Sequence, residues 1–153
     1  MRMGLPAMRL STKGRYGLRL MTTLASCYQE GPVSADTLAT SQDISAKYIH
    51  VLMTGLRSSG LVRTIRGPHG GYACARHPKT ITALDILTVL EGEITFADCT
   101  TDDDQCSRRQ QCATHHLWMD VTEKIRDILS QTTLADLVAK QQELSDRSAM
   151  YHI

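Results

Sequence analysis

Apolar positions along this 153-residue chain recur with two periods, and each period predicts a kind of element. Residues 11–29 show helical spacing, with Leu20, Leu24, Cys27 and Tyr28 on the apolar stripe. Ser11 is the N-cap and Gly31-Pro32 the stop, so Cys27 is expected as a small core residue. A short second helix is expected over 34–41 and a third over 45–58, ended by Gly60. Leu38, Ile44, Ile49 and Leu52 supply the apolar contacts between them, and Ala39 is small where the two helices cross. The turn is Gln42-Asp43-Ile44; Asp43 stands where glycine is common, and aspartate visits the left-handed backbone more readily than most residues.

Residues 61–66 and 72–74 then read as two short strands around Gly67-Pro68-His69-Gly70-Gly71. A hairpin directly after a recognition-type helix is a wing, with Cys74 as filler on its second strand. Thr82 with Asp85 predicts a capping box, followed by Ala83, Ile86, Leu87 and Leu90 at i, i+3, i+4 and i+7. Residues 91–111 are polar, include Asp102-Asp103-Asp104, and read as one long loop, which in a compact domain is functional or disordered. A long helix is expected over 112–130. On it Trp118, Val121, Ile125 and Ile128 are spaced 3, 4 and 3, the spacing of a coiled-coil seam. Little else in the chain is left to cover them, so they are assigned to a dimer interface. Thr133 and Asp136 open a last helix over 134–142, and 145–153 is expected to fray.

Charge adds a division that the apolar pattern does not show. The formal net charge is +1, yet residues 1–80 carry 11 Lys/Arg against 3 Asp/Glu, and residues 81–153 carry 6 against 13. A basic half joined to an acidic half fits a nucleic-acid-binding module with a non-binding appendage. Hydrophobic residues make up 42%, enough for a core, and aromatics only 5%, so aliphatic side chains must fill it. No apolar run approaches 18 residues, so no membrane partner is expected, and residues 1–7 do not read as a signal peptide. Five cysteines is an odd number and argues against a disulfide scaffold; a reducing cytoplasm is expected.

A helix entering the major groove turns the side chains near its N-terminus toward base edges. Here those are Ser45, Ala46, Lys47, His50 and Val51, while Tyr48 and Arg57 are placed for phosphates. Arg66 at the wing tip suits a narrow minor groove, and Gly67, Pro68 and His69 keep the wing thin enough for its amides to approach the sugar-phosphate.

The second constellation is Cys99, Cys106, Cys112 and His115. Six residues separate the first pair of cysteines and five the second, wider than the two to four typical of zinc knuckles. Wide spacing on a loop suits an iron–sulfur cluster, and His115, three residues after Cys112, shares its helix face whereas His116 does not. Zinc, a disulfide switch between two of the cysteines, and three unrelated free thiols remain as alternatives. Nothing in the chain reads as an enzyme: there is no phosphate-cradling loop, no nucleophile with a matching base and no hydrolytic metal motif.

Met8-Arg-Leu-Ser-Thr-Lys-Gly-Arg-Tyr16 resembles the opening of the Rrf-two family of winged-helix regulators. So do the stretch from Tyr48 through Leu56-Arg57-Ser-Ser-Gly60-Leu61-Val62 and the run Arg66-Gly-Pro-His-Gly-Gly-Tyr72. Cys112-Ala-Thr-His115-His-Leu-Trp118 resembles the cluster-binding segment of the IscR-like branch of that family. The resemblance spans residues 8–142. It implies a homodimer with the long helix crossing its partner, a 2Fe–2S cluster on Cys99, Cys106, Cys112 and His115, and promoter binding that follows the state of the cluster. The chain departs from the branch at three places: the first Cys–Cys gap is one residue longer, His50 replaces a glutamate and Lys47 replaces a serine.

The expected fold class is therefore mainly α, a winged helix-turn-helix with a long C-terminal dimerisation helix. Residues 1–80 form the DNA-binding domain, 81–111 a helix and the cluster-binding loop, 112–142 the dimerisation and last helices, and 143–153 a frayed tail. The expected function is a cluster-responsive DNA-binding regulator, a repressor. The alternatives are a nitric-oxide or redox sensor with a 4Fe–4S cluster, and a metal-free regulator controlled by thiols or a protein partner. Loss of the cluster is expected to free the loop and shift the wing-bearing domains. Because two recognition helices must sit about one DNA turn apart to read a palindrome, a small shift changes affinity.

Overall fold

The computed structural model describes residues 10–100 and 107–150. Ser11 opens helix α1 (Thr12–Ser26) by accepting hydrogen bonds from the amides of Lys13 and Gly14. The helix ends at Cys27, sooner than the apolar stripe suggests. Cys27 is therefore half-buried at a helix end rather than a core residue, and Tyr28 turns outward with its ring edge-on to His77. The buried face of α1 is Gly14, Gly17, Leu20, Met21, Leu24 and Ala25.

Helices α2 (Ala35–Gln42) and α3 (Ala46–Ser58) are capped by Ser34 and Ser45, and Asp43 between them adopts the expected left-handed backbone at φ 53°. Strands β1 (Val62–Ile65) and β2 (Gly71–Cys74) pair antiparallel, Val62 opposite Cys74 and Ile65 opposite Gly71. Val33 then pairs with Tyr72 through both main-chain bonds, at 2.8 and 2.9 Å, so the wing is tied back to the segment before α2. Cys74 is filler, as expected: it is buried, and desolvation pushes its thiol up to about 11, which keeps it protonated and inert.

Helix α4 (Ala83–Glu91) begins with the expected capping box of Thr82 and Asp85. Within residues 92–112 the structure has 3-10 turns at Asp98–Thr100 and Arg109–Gln111, and a third, unforeseen, precedes α4 at Pro78–Thr80. Each is closed by a main-chain bond three residues back, Thr80 to His77, Thr100 to Ala97 and Gln111 to Arg108, and the Thr80 and Thr100 hydroxyls donate to the same carbonyls as their amides. Such bonds leave no apolar period to read.

Helix α5 (Ala113–Gln131) is followed by α6 (Leu134–Met150), which Thr133 and Asp136 open reciprocally. The frayed tail is corrected here: α6 continues to Met150. Ser145 and Ser148 hydroxyls return to the carbonyls of Gln141 and Leu144, and Lys140 pairs with Glu143 at 2.9 Å. Residues 151–153 lie outside the described residues.

One core joins both halves of the chain. Leu20, Met21, Leu38, Ile49, Met53 and Leu56 bury against Ile81, Ile86 and Leu134. The amide of Leu134 donates to Ile81 O, and that of Ala83 to Thr132 O. Helices α1 and α4 approach so closely that a Cβ on Gly17 would overlap the Leu90 side chain. At the same crossing the Glu91 carboxylate accepts from the Gly14 amide at 2.9 Å and from the Ser11 hydroxyl, adding a negative charge at the α1 N-terminus.

Candidate nucleic-acid interface and metal centre

Helix α3 buries Ile49, Leu52, Met53 and Leu56, which leaves Lys47, His50, Val51, Thr54 and Arg57 exposed. Val51, an apolar residue, is 57% exposed among these polar and charged neighbours. Ser45 is exposed at the N-cap, where its hydroxyl accepts from the Tyr48 amide at 3.2 Å. Tyr48 is half-buried, its ring edge-on to Tyr16, and the Arg19 guanidinium lies 5.4 Å from the Tyr16 ring.

Two members of this face escaped the sequence reading. Thr54 lies one turn beyond His50, a spacing that periodicity could have found. Tyr72, on β2, meets His50 through a hydrogen bond of 2.6 Å between its hydroxyl and Nδ1. That contact has no sequence signal, because it depends on how the wing folds back over α3.

The wing tip exposes Arg66, Gly67, Pro68 and His69 together, and Gly67 takes a positive φ of 116° that a larger residue adopts with strain. Arg63 and Thr64 on β1 are exposed beside them. Arg66→Ala should cost about 1–3 kcal/mol of specific DNA binding, the size of one good groove contact. A gel-shift titration with unchanged affinity would remove Arg66 from the interface.

The second site gathers at the start of α5. Cys112 is the N-cap residue and His115 lies in the first turn, while Cys99 sits half-buried on a 3-10 turn packed against α5. The Thr114 hydroxyl, 3.2 Å from Cys112 Sγ, holds that thiol below its ordinary value, helped by the His115 amide and the charge of Arg108. Lowering the value favours the thiolate, the ligand form. Cys106 lies outside the described residues, and among the described residues no three His, Cys, Asp or Glu side chains converge on one point.

His115 carries the clearest signal. It is only 4% exposed, and its Nδ1 is buried without a hydrogen-bond partner. A buried polar atom left unpaired costs about 1–3 kcal/mol, so proteins keep one for a reason. His116 beside it is exposed, its ring edge-on at 5.8 Å, which agrees with His115 as the inward member of the pair. Cys99 and Cys112 thiols with an unpaired imidazole nitrogen are soft donors by type, so the chemistry of these residues fits a cluster.

The apolar stripe of α5 divides. Trp118 stacks on Phe96 at 5.2 Å and 17°, and the Phe96 amide donates to Thr122 Oγ1 at 3.1 Å. Trp118, Val121 and Ile125 are half-buried within their own chain. Ile128 is 66% exposed and Leu117 50%, so apolar surface remains open on the same helix. Phe96 is the only phenylalanine, and no period relates it to Trp118.

Comparison with known proteins places the chain among winged-helix transcriptional regulators. A family model described as Rrf2, iron-dependent transcriptional regulator, matches residues 10–140. The solved structure of CymR, the global cysteine regulator of B. subtilis, superposes with a TM-score of 0.73 at 38% identity, covering 87% of this chain and 98% of that one. The structure of T. potens IscR gives 0.74 at 36% identity, covering 90% and 91%. The transcriptional regulator IscR of Erwinia tasmaniensis is 36% identical over 137 residues, 90% of this chain and 82% of its own. No helix among the described residues is long and apolar enough to cross a membrane.

Proposed function

This chain belongs to the Rrf2 family of winged-helix transcriptional regulators, and from that premise we propose that it is a homodimer whose promoter binding responds to an iron–sulfur cluster, 2Fe–2S by preference. As its relatives are, it is a DNA-binding regulator and not an enzyme. Cys99, Cys106, Cys112 and His115 are the proposed ligands. The observation that carries the proposal is the buried, unpaired Nδ1 of His115 one turn from Cys112. When bound, such a cluster supplies redox and oxygen sensitivity, and a histidine ligand adds sensitivity to protonation.

The chain's own residues supply a route from that site to DNA. The loop leaves α4 directly after Glu91, and the Glu91 carboxylate caps α1. Helix α4 packs on α1, α3 and α5 alike, so the sensing helix and the recognition helix share one neighbour. A change at the turn Asp98–Thr100, which packs on α5, therefore bears on the placement of α3. Ile128 and Leu117, with the half-buried Trp118, Val121 and Ile125, are the proposed dimer seam. A change of affinity requires that the two states bind DNA differently.

A second reading keeps the winged helix and drops the metal. The match to CymR, called a cysteine regulator, is as close as the match to IscR, and supports a regulator controlled by thiols or by a protein partner. Purification without oxygen, with iron, sulfide and zinc analysis and a visible spectrum, separates the two. About two irons and two sulfides per chain are expected, the composition of a 2Fe–2S centre. Four irons would select the 4Fe–4S alternative, and no iron or stoichiometric zinc would overturn the cluster reading in favour of the second.

A further inference from the structure

We propose that Tyr72 fixes the imidazole of His50 so that Nε2–H faces the major groove as a lone donor and selects guanine at one position of the binding site. The inference rests on the DNA-binding reading of α3 and adds to it the residue that sets what His50 can read.

The geometry begins with the strand. Tyr72 is half-buried, and both main-chain bonds to Val33 fix the backbone from which its ring reaches α3. That hydroxyl reaches His50 Nδ1 at 2.6 Å, with the two rings 6.0 Å apart at 64°. A phenol O–H is more acidic than a neutral imidazole N–H, and an imidazole nitrogen is a better acceptor than a phenol oxygen. Tyr72 is therefore the donor and Nδ1 the acceptor, which leaves the ring proton on Nε2. In the imidazolium both nitrogens carry protons, so Nε2 donates there as well.

A donor that cannot accept reads acceptors. In the major groove guanine presents two adjacent acceptors, N7 and O6, whereas adenine places an amino donor beside its N7, cytosine offers its amino donor, and thymine has the single acceptor O4 beside a methyl group. Lys47, exposed three residues earlier on the same face, is a second donor that cannot accept. Thr54 Oγ1 is engaged with the His50 carbonyl at 2.7 Å and does not compete for the ring. Tyr72 is a positioning residue in this scheme, and His50 makes the contact.

The test is selection from a pool of random DNA duplexes by the full-length protein, followed by sequencing of the bound fraction. Wild type should enrich guanine at one position. His50→Ala should lose that preference by roughly five- to tenfold, the low end for one base pair. His50→Glu can only accept, so its preference should move to cytosine at that position. Tyr72→Phe keeps the ring and the strand, and should blur the guanine preference several-fold. Nitrogen-15 spectra of the His50 ring should show the proton on Nε2 in wild type and a mixture in Tyr72→Phe.

Two outcomes overturn the inference alone. One is His50→Ala weakening all sequences equally with a salt slope lower by about one, the signature of a phosphate contact. The other is Tyr72→Phe leaving both preference and tautomer unchanged. A wild type that binds no duplex at all would instead overturn the regulator reading on which the inference stands.

Discussion

Cys112→Ser and His115→Leu should each purify without iron, and both apo-proteins should be more stable than the wild-type apo-protein. The first half follows from ligand chemistry. A serine hydroxyl is a poor substitute for a thiolate on a soft centre, and leucine has no donor atom. The second half separates a ligand from a structural residue. His115 is buried with an unpaired Nδ1, so leucine removes the penalty of an unsatisfied polar atom, about 1–3 kcal/mol, and keeps most of the packed volume. With roughly 2–4 °C per kcal/mol at this chain length, the apo melting temperature should rise by several degrees.

Cys112→Ser acts through the helix end. Cys112 makes no capping hydrogen bond to α5, whereas serine is among the best N-caps and is worth about 1 kcal/mol there. A residue kept for the fold would show the opposite sign. Iron retained in His115→Leu, or an apo-protein of that variant that unfolds well below wild type, would return His115 to the core and end its assignment as a ligand; iron retained in Cys112→Ser would remove Cys112 from the ligand set.

What was legible beforehand follows from the range of each interaction. Ser11, Ser34, Ser45 and the pair Thr82 and Asp85 cap their helices within three residues, so their roles could be read from the chain. The turn at Asp43 and the wing around Gly67 are equally local. Cys27 was misplaced because an apolar stripe continues through a helix end without marking it. The end of α6 was missed for the reverse reason: residues 141–150 are all exposed, so no apolar stripe extends there to announce the helix.

Contacts between distant segments were not legible at all. Phe96 with Trp118, His50 with Tyr72 and Glu91 with Gly14 join positions 22 to 77 residues apart, and no spacing rule connects them. For the first two the sequence supplied one partner with an assigned role, Trp118 and His50, and the fold supplied the second; for Glu91 with Gly14 the fold supplied both. The ligand cysteines stand between these cases. Cys112 and His115 are one helical turn apart and could be paired by spacing, while the position of Cys99 depends on a 3-10 turn that carries no period.

Gly71→Ala should unfold the wing while leaving iron content at the wild-type level. Gly71 has φ +155°, where an L side chain is strained, and a Cβ there would overlap the Val33 carbonyl and come within 2.9 Å of the Ser34 amide nitrogen. Both obstacles are backbone and cannot swing aside. The strand can accept the methyl only by leaving Val33, which breaks the two bonds between Val33 and Tyr72. Strain of about 1–3 kcal/mol and two lost hydrogen bonds of about 1 kcal/mol each give roughly 3–5 kcal/mol.

Tyr72 moves with the strand, so DNA affinity should fall by more than an order of magnitude, since one groove contact alone is worth about 1–3 kcal/mol. Gly67→Ala is the matched control. Its φ is also positive, at +116°, but nothing lies within 4 Å of the added methyl, so only the strain of about 1–3 kcal/mol remains. Thermal unfolding and gel-shift titration of the two variants side by side decide the matter. Equal losses would mean that the Val33–Tyr72 tie contributes nothing, whereas a larger loss at Gly71 with iron retained places the wing's anchor at Val33 and separates it from the metal site.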